Sequence, residues 1–122
     1  AYHNLIINDH RAALFDFDDM IVDHPVHDRV NLISRYLRIH QWSREALFKA
    51  LWNFDRYYPW NLGELRKLRV YLTFPYEFWI WGRQYFLERQ PWPEKYYQDQ
   101  WDRKVALFEQ RIKILKLIEF FE

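Results

Sequence analysis

The chain has 122 residues, half of them hydrophobic, which is enough for the core of one domain or of part of one. Aromatic residues make up 21% of the sequence, so a disordered chain is excluded. The formal net charge of +1 provides no global field for nucleic acid or an anionic membrane, and the absence of cysteine excludes disulfide bonds, thiolate metal sites and a cysteine nucleophile.

The first predicted element is a β-hairpin. Residues 5–7 and 12–15 are short apolar runs, and Asn8 and Asp9 between them are typical turn residues. Asn4 precedes the first run, and Asp16 follows the second. Pairing of the two strands therefore brings an amide and a carboxylate to the same end of the hairpin.

Five helices are predicted to follow, over residues 25–39, 43–57, 61–72, 75–89 and from 94 to near the end. Ser43 is a favourable N-cap, and Asn61 with Glu64 three residues later forms a capping box. In the last helix, apolar residues recur at steps of four and three and predict one apolar stripe: Trp101, Val105, Phe108, Ile112 and Leu115. The fold class expected is mainly α with a small β-hairpin.

An acidic cluster follows the hairpin and contains Asp16, Asp18, Asp19, Asp23 and Asp28. Asp16 emerges at the end of a strand, where ligand groups tend to lie, and Mg²⁺ prefers such hard oxygen ligands. The helix dipole favours a carboxylate such as Asp28 in the first turn of a helix. The alternative is a solvated acidic loop. An EF-hand is excluded because its central Gly and terminal Glu are missing.

The order of Asn4, a hairpin, Asp16-Phe17-Asp18 and Asp23-x-Pro25-x-x-Asp28 resembles the C-terminal lobe of aminoglycoside and choline phosphotransferase-like kinases. The resemblance implies that residues 1–122 form the C-terminal lobe of a kinase-like α+β fold, with the hairpin and metal-ligand motif in residues 1–19 and a helical subdomain in 24–122. The N-terminal lobe and the catalytic base, an Asp, are then expected upstream of Ala1, so no catalytic residue is expected within the chain.

The same resemblance assigns roles to four side chains. Asn4 and Asp16 would be ligands of Mg²⁺ in a complex with ATP, and Asp18 is a candidate for contact with metal or substrate. Asp28 would be a structural brace beneath the catalytic loop. We therefore expect Asp28 to be buried and to accept backbone N–H bonds from the loop near Tyr2 and His3.

Downstream segments look like bacterial spore-coat proteins of the CotS and YutH type, which are kinase-like proteins of the same superfamily. The matching segments are Tyr36-x-Arg38-x-x-Gln41-Trp42, Tyr57-Tyr58-Pro59, Leu72-Thr73-Phe74-Pro75-Tyr76-Glu77-Phe78-Trp79 and Arg83-Gln84-Tyr85. The resemblance implies a parent that is either an ATP- and Mg²⁺-dependent small-molecule phosphotransferase or a non-catalytic scaffold of the spore coat. The expected site of action is the spore coat, after synthesis in the cytoplasm.

The expected partners are other spore-coat proteins, the protein's own N-terminal lobe and a small-molecule substrate. Nucleic acid is not expected, and no apolar stretch reaches the roughly 18 residues of a membrane span.

The basic positions near the C-terminus, Arg111, Lys113 and Lys116, are predicted to lie on a solvated face. His24 and His27 are three residues apart, but no third metal ligand is evident.

Aromatic residues are concentrated between Phe74 and Tyr85. Packing between helices is the first interpretation, because an aromatic ring buries a large area. Trp79 and Trp81 point to different faces of the fourth helix, however, so one neighbouring surface cannot bury both. We expect the second, third and fifth helices to cover part of this helix, with Trp101 and Phe108 as its partners. The remainder should form an exposed apolar patch.

Overall fold

The computed structural model describes residues 4–18 and 20–121. Within these ranges a two-stranded antiparallel hairpin precedes five α-helices. The elements are β1 Leu5–Asn8, β2 Arg11–Leu14, α1 Val26–Ile39, α2 Arg44–Tyr57, α3 Leu62–Thr73, α4 Tyr76–Gly82 and α5 Glu94–Leu115, with a π-helical turn at Arg83–Glu88 and a 3₁₀ segment at Lys116–Phe121. The expected mainly helical fold with a small hairpin is confirmed.

Two helix starts follow the predicted capping chemistry. The Ser43 hydroxyl accepts the backbone N–H of Ala46 at 3.2 Å. At the start of α3, the Asn61 side chain accepts the backbone N–H of Glu64 at 2.9 Å, and the Glu64 carboxylate accepts the backbone N–H of Asn61 at 3.2 Å. These bonds satisfy N–H groups that have no partner within their own helix, which fixes where α2 and α3 begin.

The hydrophobic core lies between α1, α2, α3 and the C-terminal part of the chain. α1 packs on α2 and α3, and α3 packs on α5. The largest fully buried side chains are Val26, Ile33, Leu37, Leu47, Leu51, Leu68, Leu72 and Ile118. Burial of one such side chain stabilises the fold by about 1.5–3 kcal/mol. The sequence predicts the inward faces of α1 and α2, because the buried apolar residues on each helix recur at steps of three and four.

The turn between α1 and α2 holds a buried tryptophan. Gln41 and Trp42 both have left-handed backbones, with φ of 52° and 54°. This conformation costs a non-glycine residue about 1–2 kcal/mol. It places the Trp42 ring in the core, where 2% of its surface remains exposed, and burial of the large ring offsets the backbone cost.

Arg111 of α5 joins three parts of the helical body. Its guanidinium donates to the backbone carbonyls of Leu72 and Phe74, at the end of α3, and forms a two-bond ion pair with the Glu77 carboxylate of α4 at 2.9 and 3.0 Å. The guanidinium carbon also lies 4.5 Å from the centre of the Trp42 ring. Only 4% of Arg111 is exposed. The prediction that Arg111 lies on a solvated face is therefore wrong.

The buried face of α5 also differs from the predicted stripe. Leu115 is buried as expected, but Trp101 keeps 38% of its surface exposed, and Ile114 is buried beside Arg111. The physical reason is that α5 packs against two different surfaces. Tyr97, Trp101 and Phe108 contact the aromatic residues of α4. Ile114 and Leu115, further along α5, lie in the core. Although α5 has 22 residues, no helix within the described ranges is both long and apolar enough to cross a membrane.

The fourth predicted helix is divided in two. Regular α-helix ends at Gly82, and residues 83–88 form a π-helical turn that closes at Arg89 with a left-handed backbone. The Tyr85 ring stacks on Trp81 with centroids 5.2 Å apart and planes within 5°, and Phe86 meets Trp81 edge-on at 6.4 Å. The wider π-helical turn thus places the successive rings of Tyr85 and Phe86 against the indole of Trp81. Regular α-helical periodicity does not predict this arrangement.

We predict that Arg111→Met destabilises the folded chain by about 3 kcal/mol. The substitution leaves the half-buried Glu77 carboxylate and the Leu72 carbonyl without their donor, and it removes one of the two donors to the Phe74 carbonyl. Urea unfolding followed by circular dichroism measures this change. Arg103→Met is the matched control, since Arg103 is exposed on the same helix and should alter stability by less than about 0.5 kcal/mol. Equal effects of the two substitutions would show that Arg111 has no special structural role.

Candidate functional site

The hairpin brings Asn4 close to Asp16 along the backbone. β1 and β2 pair with Leu5 opposite Leu14, and the Phe15 backbone N–H donates to the Asn4 carbonyl at 3.1 Å. Asn4 therefore lies opposite Phe15, one residue from Asp16. The backbone places the amide and the carboxylate at the same end of the hairpin, as the sequence predicted. Convergence of their side-chain oxygens on one ion remains a prediction.

Asp16 marks the point where the regular strand ends. Its backbone is left-handed, with φ of 65°, so the alternation of side chains along β2 stops there. Asp16 and Asp18 are both exposed, while Asn4 is half-buried. The Met20 N–H then donates to the Phe17 carbonyl at 3.2 Å and closes a turn. Asp19, the remaining member of this part of the acidic cluster, lies outside the described residues.

The site expected from the sequence rests on two oxygen-bearing side chains, those of Asn4 and Asp16. Among residues 4–18 and 20–121, no group of three or more His, Asp or Glu side chains is arranged to hold a metal ion. Mg²⁺ usually takes only one or two carboxylates and completes its shell with phosphate oxygens and water. Asn4 and Asp16 are residue types that could supply the protein's share of such a shell.

Asp28 lies in the first turn of α1, as predicted, but its surface is exposed. The expectation that it is buried is wrong, because the first turn of α1 presents Val26 and Arg29 to the core and leaves position 28 facing solvent. The expected backbone donors near Tyr2 and His3 lie outside the described residues, so the brace itself remains a prediction.

His24 and His27 bond locally with Asp23. One Asp23 oxygen accepts the His24 backbone N–H at 2.6 Å, and the other lies 2.6 Å from His27 Nδ1. These bonds hold the pKa of Asp23 below its usual value. The bond from the His24 N–H has the largest effect, and the bond with His27 has the next largest. The contact favours the carboxylate, so its stabilising effect is present above the ordinary pKa and is lost as pH falls through the folded-state value.

Arg29 and Arg111 are two buried cations that sequence reasoning did not single out as structural. The Arg29 guanidinium lies 3.9 Å from the centre of the Tyr58 ring and 4.6 Å from that of Trp60. Its Nη1 is 3.6 Å from a Glu64 oxygen, within ion-pair range, and has no hydrogen-bond partner among the described residues. Position 29 follows Val26 by three residues, so helical spacing alone would have placed it on the inner face.

The hairpin exposes apolar side chains on both of its faces. On one face Ile7 and Leu14 are 70% and 64% exposed, and on the opposite face Ile6 is 58% exposed. The segment that follows continues the pattern with exposed Phe17, Met20, Ile21 and Val22. A two-stranded hairpin without a covering layer is at best marginally stable in water. The hairpin and the segment after it therefore form an exposed apolar patch.

The predicted partners of the fourth helix are confirmed. Phe78 of α4 meets the Trp101 and Phe108 rings edge-on, with centroids 5.1 and 5.4 Å apart. The remaining apolar surface includes Trp79, 55% exposed, and Phe86, 65% exposed. The region from α4 to the first half of α5 is consequently an aromatic arm, defined as residues 76–105, whose inner rings pack together and whose outer rings face solvent.

Two tyrosine hydroxyls hold the tip of the aromatic arm together. Tyr85 donates to the Glu94 carboxylate at 2.9 Å, and Tyr97 donates to the Gln90 carbonyl at 3.0 Å. The bond to Glu94 and the negative charge of that carboxylate raise the pKa of Tyr85 above its usual value. Burial, followed by the charge of Glu94, raises the pKa of Tyr97.

Comparison of the chain with protein-family models, with curated proteins and with solved structures finds no match.

We predict that Glu94→Gln lowers the pKa of Tyr85 towards 10.0, because the substitution removes both the charged acceptor and its repulsion of the phenolate. In the wild type the folded-state pKa is raised, so this contact stabilises the fold below about pH 10 and is lost as pH rises through the folded-state pKa. Ultraviolet difference titration against Tyr85→Phe isolates the group. Glu109→Gln, at an exposed position of α5, should leave the titration unchanged, and a Tyr85 titration insensitive to Glu94→Gln would contradict the contact.

Proposed function

We propose that this chain forms the C-terminal, mainly helical lobe of a kinase-like protein of the spore coat. In this proposal, the parent protein transfers a phosphoryl group from ATP, with Mg²⁺, to a small molecule bearing a hydroxyl or amine group. The nucleotide-covering lobe and the catalytic base belong to the parent's N-terminal part. Asn4 and Asp16 hold the metal, and Asp18 contacts metal or substrate.

The observation that carries the proposal is the pairing at the end of the hairpin. The bond from the Phe15 N–H to the Asn4 carbonyl places Asn4 opposite Phe15, which is the residue directly before Asp16. Kinase-type phosphoryl transfer depends on positioning and electrostatic stabilisation, with an Asn and an Asp holding Mg²⁺ against the phosphates. The exposure of Asp16 leaves its carboxylate accessible to an incoming nucleotide.

The apolar surface of the hairpin gives separate support. In a two-lobed protein the metal-binding hairpin lies next to the nucleotide lobe, so exposed side chains such as Ile7 and Leu14 would be covered there. This covering would also stabilise a hairpin that has little packing of its own.

A scaffold without catalytic activity is the second candidate. Its support is the outer surface of the aromatic arm, where Trp79 and Phe86 are more than half exposed. Tryptophan and phenylalanine are enriched at protein interfaces, and such a surface would suit other proteins of the spore coat. In this alternative the kinase-like fold is retained but nucleotide is not bound.

We predict that the full-length parent binds a non-hydrolysable ATP analogue in a Mg²⁺-dependent manner, and that Asp16→Asn weakens this binding about tenfold or more. Asp9→Asn is the matched control. Both aspartates are exposed and have left-handed backbones, which asparagine tolerates, so the two variants differ only in the site that they alter. Isothermal titration calorimetry with and without Mg²⁺ measures the effect.

Absence of nucleotide binding by the intact parent would reject the enzyme and support the scaffold. Binding that Asp9→Asn and Asp16→Asn weaken equally would reject the assignment of Asp16 as a metal ligand.

A further inference from the structure

A large cleft opens beside α1 in the helical body. Its volume is 1180 Å³, and it runs between α1 and the segment that joins α3 to α4. α1 contributes His27, Asn31, Ser34, Arg35 and Arg38, and the other wall extends from Arg69 to Glu77. Buried Arg111 also contributes to the lining. The space is sufficient for a small organic molecule.

Cations outnumber anions among the residues that line the cleft. Four arginines line it, at positions 35, 38, 69 and 111, whereas Glu77 is the only carboxylate among its described lining residues. This concentration is local, because the whole chain carries a formal net charge of only +1. A concave surface lined by one sign of charge concentrates the field and favours ligands of the opposite sign.

Ion pairs within the chain engage at least two of these cations. Arg111 pairs with Glu77, and Arg69 pairs with Glu119. Arg38, exposed in the last turn of α1, makes no ion pair with any described residue. Burial lowers the pKa of Arg111, and the nearby positive charge of Arg38 is a smaller cause in the same direction. An anion beside Arg38 would offset this positive charge.

The opposite wall is aromatic. The Tyr71 ring stacks on His27 with centroids 5.4 Å apart and planes within 10°. Phe74 is 57% exposed and Val70 is 71% exposed, so this wall offers flat apolar surface that is not used in packing. The cleft therefore combines a cationic side on α1 with an apolar side on α3 and the turn after it.

We propose that this cleft binds a small organic anion, in which an oxyanion such as phosphate or carboxylate contacts Arg38 and a flat apolar body lies against Tyr71 and Phe74. Arginine suits this role because its planar guanidinium donates two parallel hydrogen bonds to an oxyanion. The proposal goes beyond the kinase-like assignment and does not depend on it, since the cleft contains no residue of the hairpin.

Titration of phenyl phosphate into ¹⁵N-labelled chain, followed by amide chemical shifts at low ionic strength, tests the proposal. We expect the shifts to centre on the described cleft residues, including Ser34, Arg38 and Tyr71. Arg38→Gln should weaken binding about tenfold or more, the loss expected for a charge-assisted hydrogen bond. Val70→Glu adds a carboxylate at an exposed position of the cleft and should weaken binding similarly, without disturbing the core.

Arg103→Gln is the control of equal charge change, because Arg103 is exposed on α5 and is not among the cleft residues. Arg103→Gln should leave the affinity for phenyl phosphate within about twofold of the wild type, because salt screens the effect of a distant surface charge. If Arg103→Gln weakens binding as much as Arg38→Gln, or if the shifts spread over the whole surface, the interaction is general electrostatics and the proposal is overturned. Equal affinity for inorganic phosphate would also overturn it, because the aromatic wall would then contribute nothing.

Discussion

The arrangement of the helical body depends on one buried guanidinium. The end of α3 presents carbonyl groups that have no partner within their own helix, and its last turn contains no basic residue. Arg111 supplies both the missing donors and the missing positive charge from α5. Removing an arginine from water is costly, so the position is stable only because the Leu72 and Phe74 carbonyls, the Glu77 carboxylate and the Trp42 ring surround it.

This contact has consequences on both sides of the molecule. The bond to Glu77 fixes the start of α4, and α4 carries Phe78 into its edge-on contacts with α5, so the position of the aromatic arm follows from the ion pair. Arg111 also lines the cleft between α1 and the segment after α3. The same interaction that closes the core thus shapes a cationic surface, although the hairpin with Asn4 and Asp16 lies outside this network.

The sequence predicted the elements better than it predicted their contacts. The caps at Ser43 and Asn61 and the inward faces of α1 and α2 were evident because local hydrogen bonding and helical periodicity determine them. The sequence also predicted the hairpin that sets Asn4 near Asp16. The burial of Arg111 was missed because charge alone was taken to indicate a solvated face, and the π-helical turn was missed because ring packing, rather than propensity, determines it. Asp28 was assigned a buried role from resemblance, whereas the helix directs that position to solvent.

Hydrogen exchange of Arg111→Lys tests the central role of this guanidinium most directly, because lysine keeps the charge but lacks the fork that reaches several acceptors at once. The measurement compares amide protection in the aromatic arm with that in α1 and α2. If Arg111 joins the arm to the core, protection in α4 and the first half of α5 falls well below that in α1 and α2, because local opening becomes easier than global unfolding. Protection that falls equally in all helices, or that stays unchanged in α4, would contradict the account.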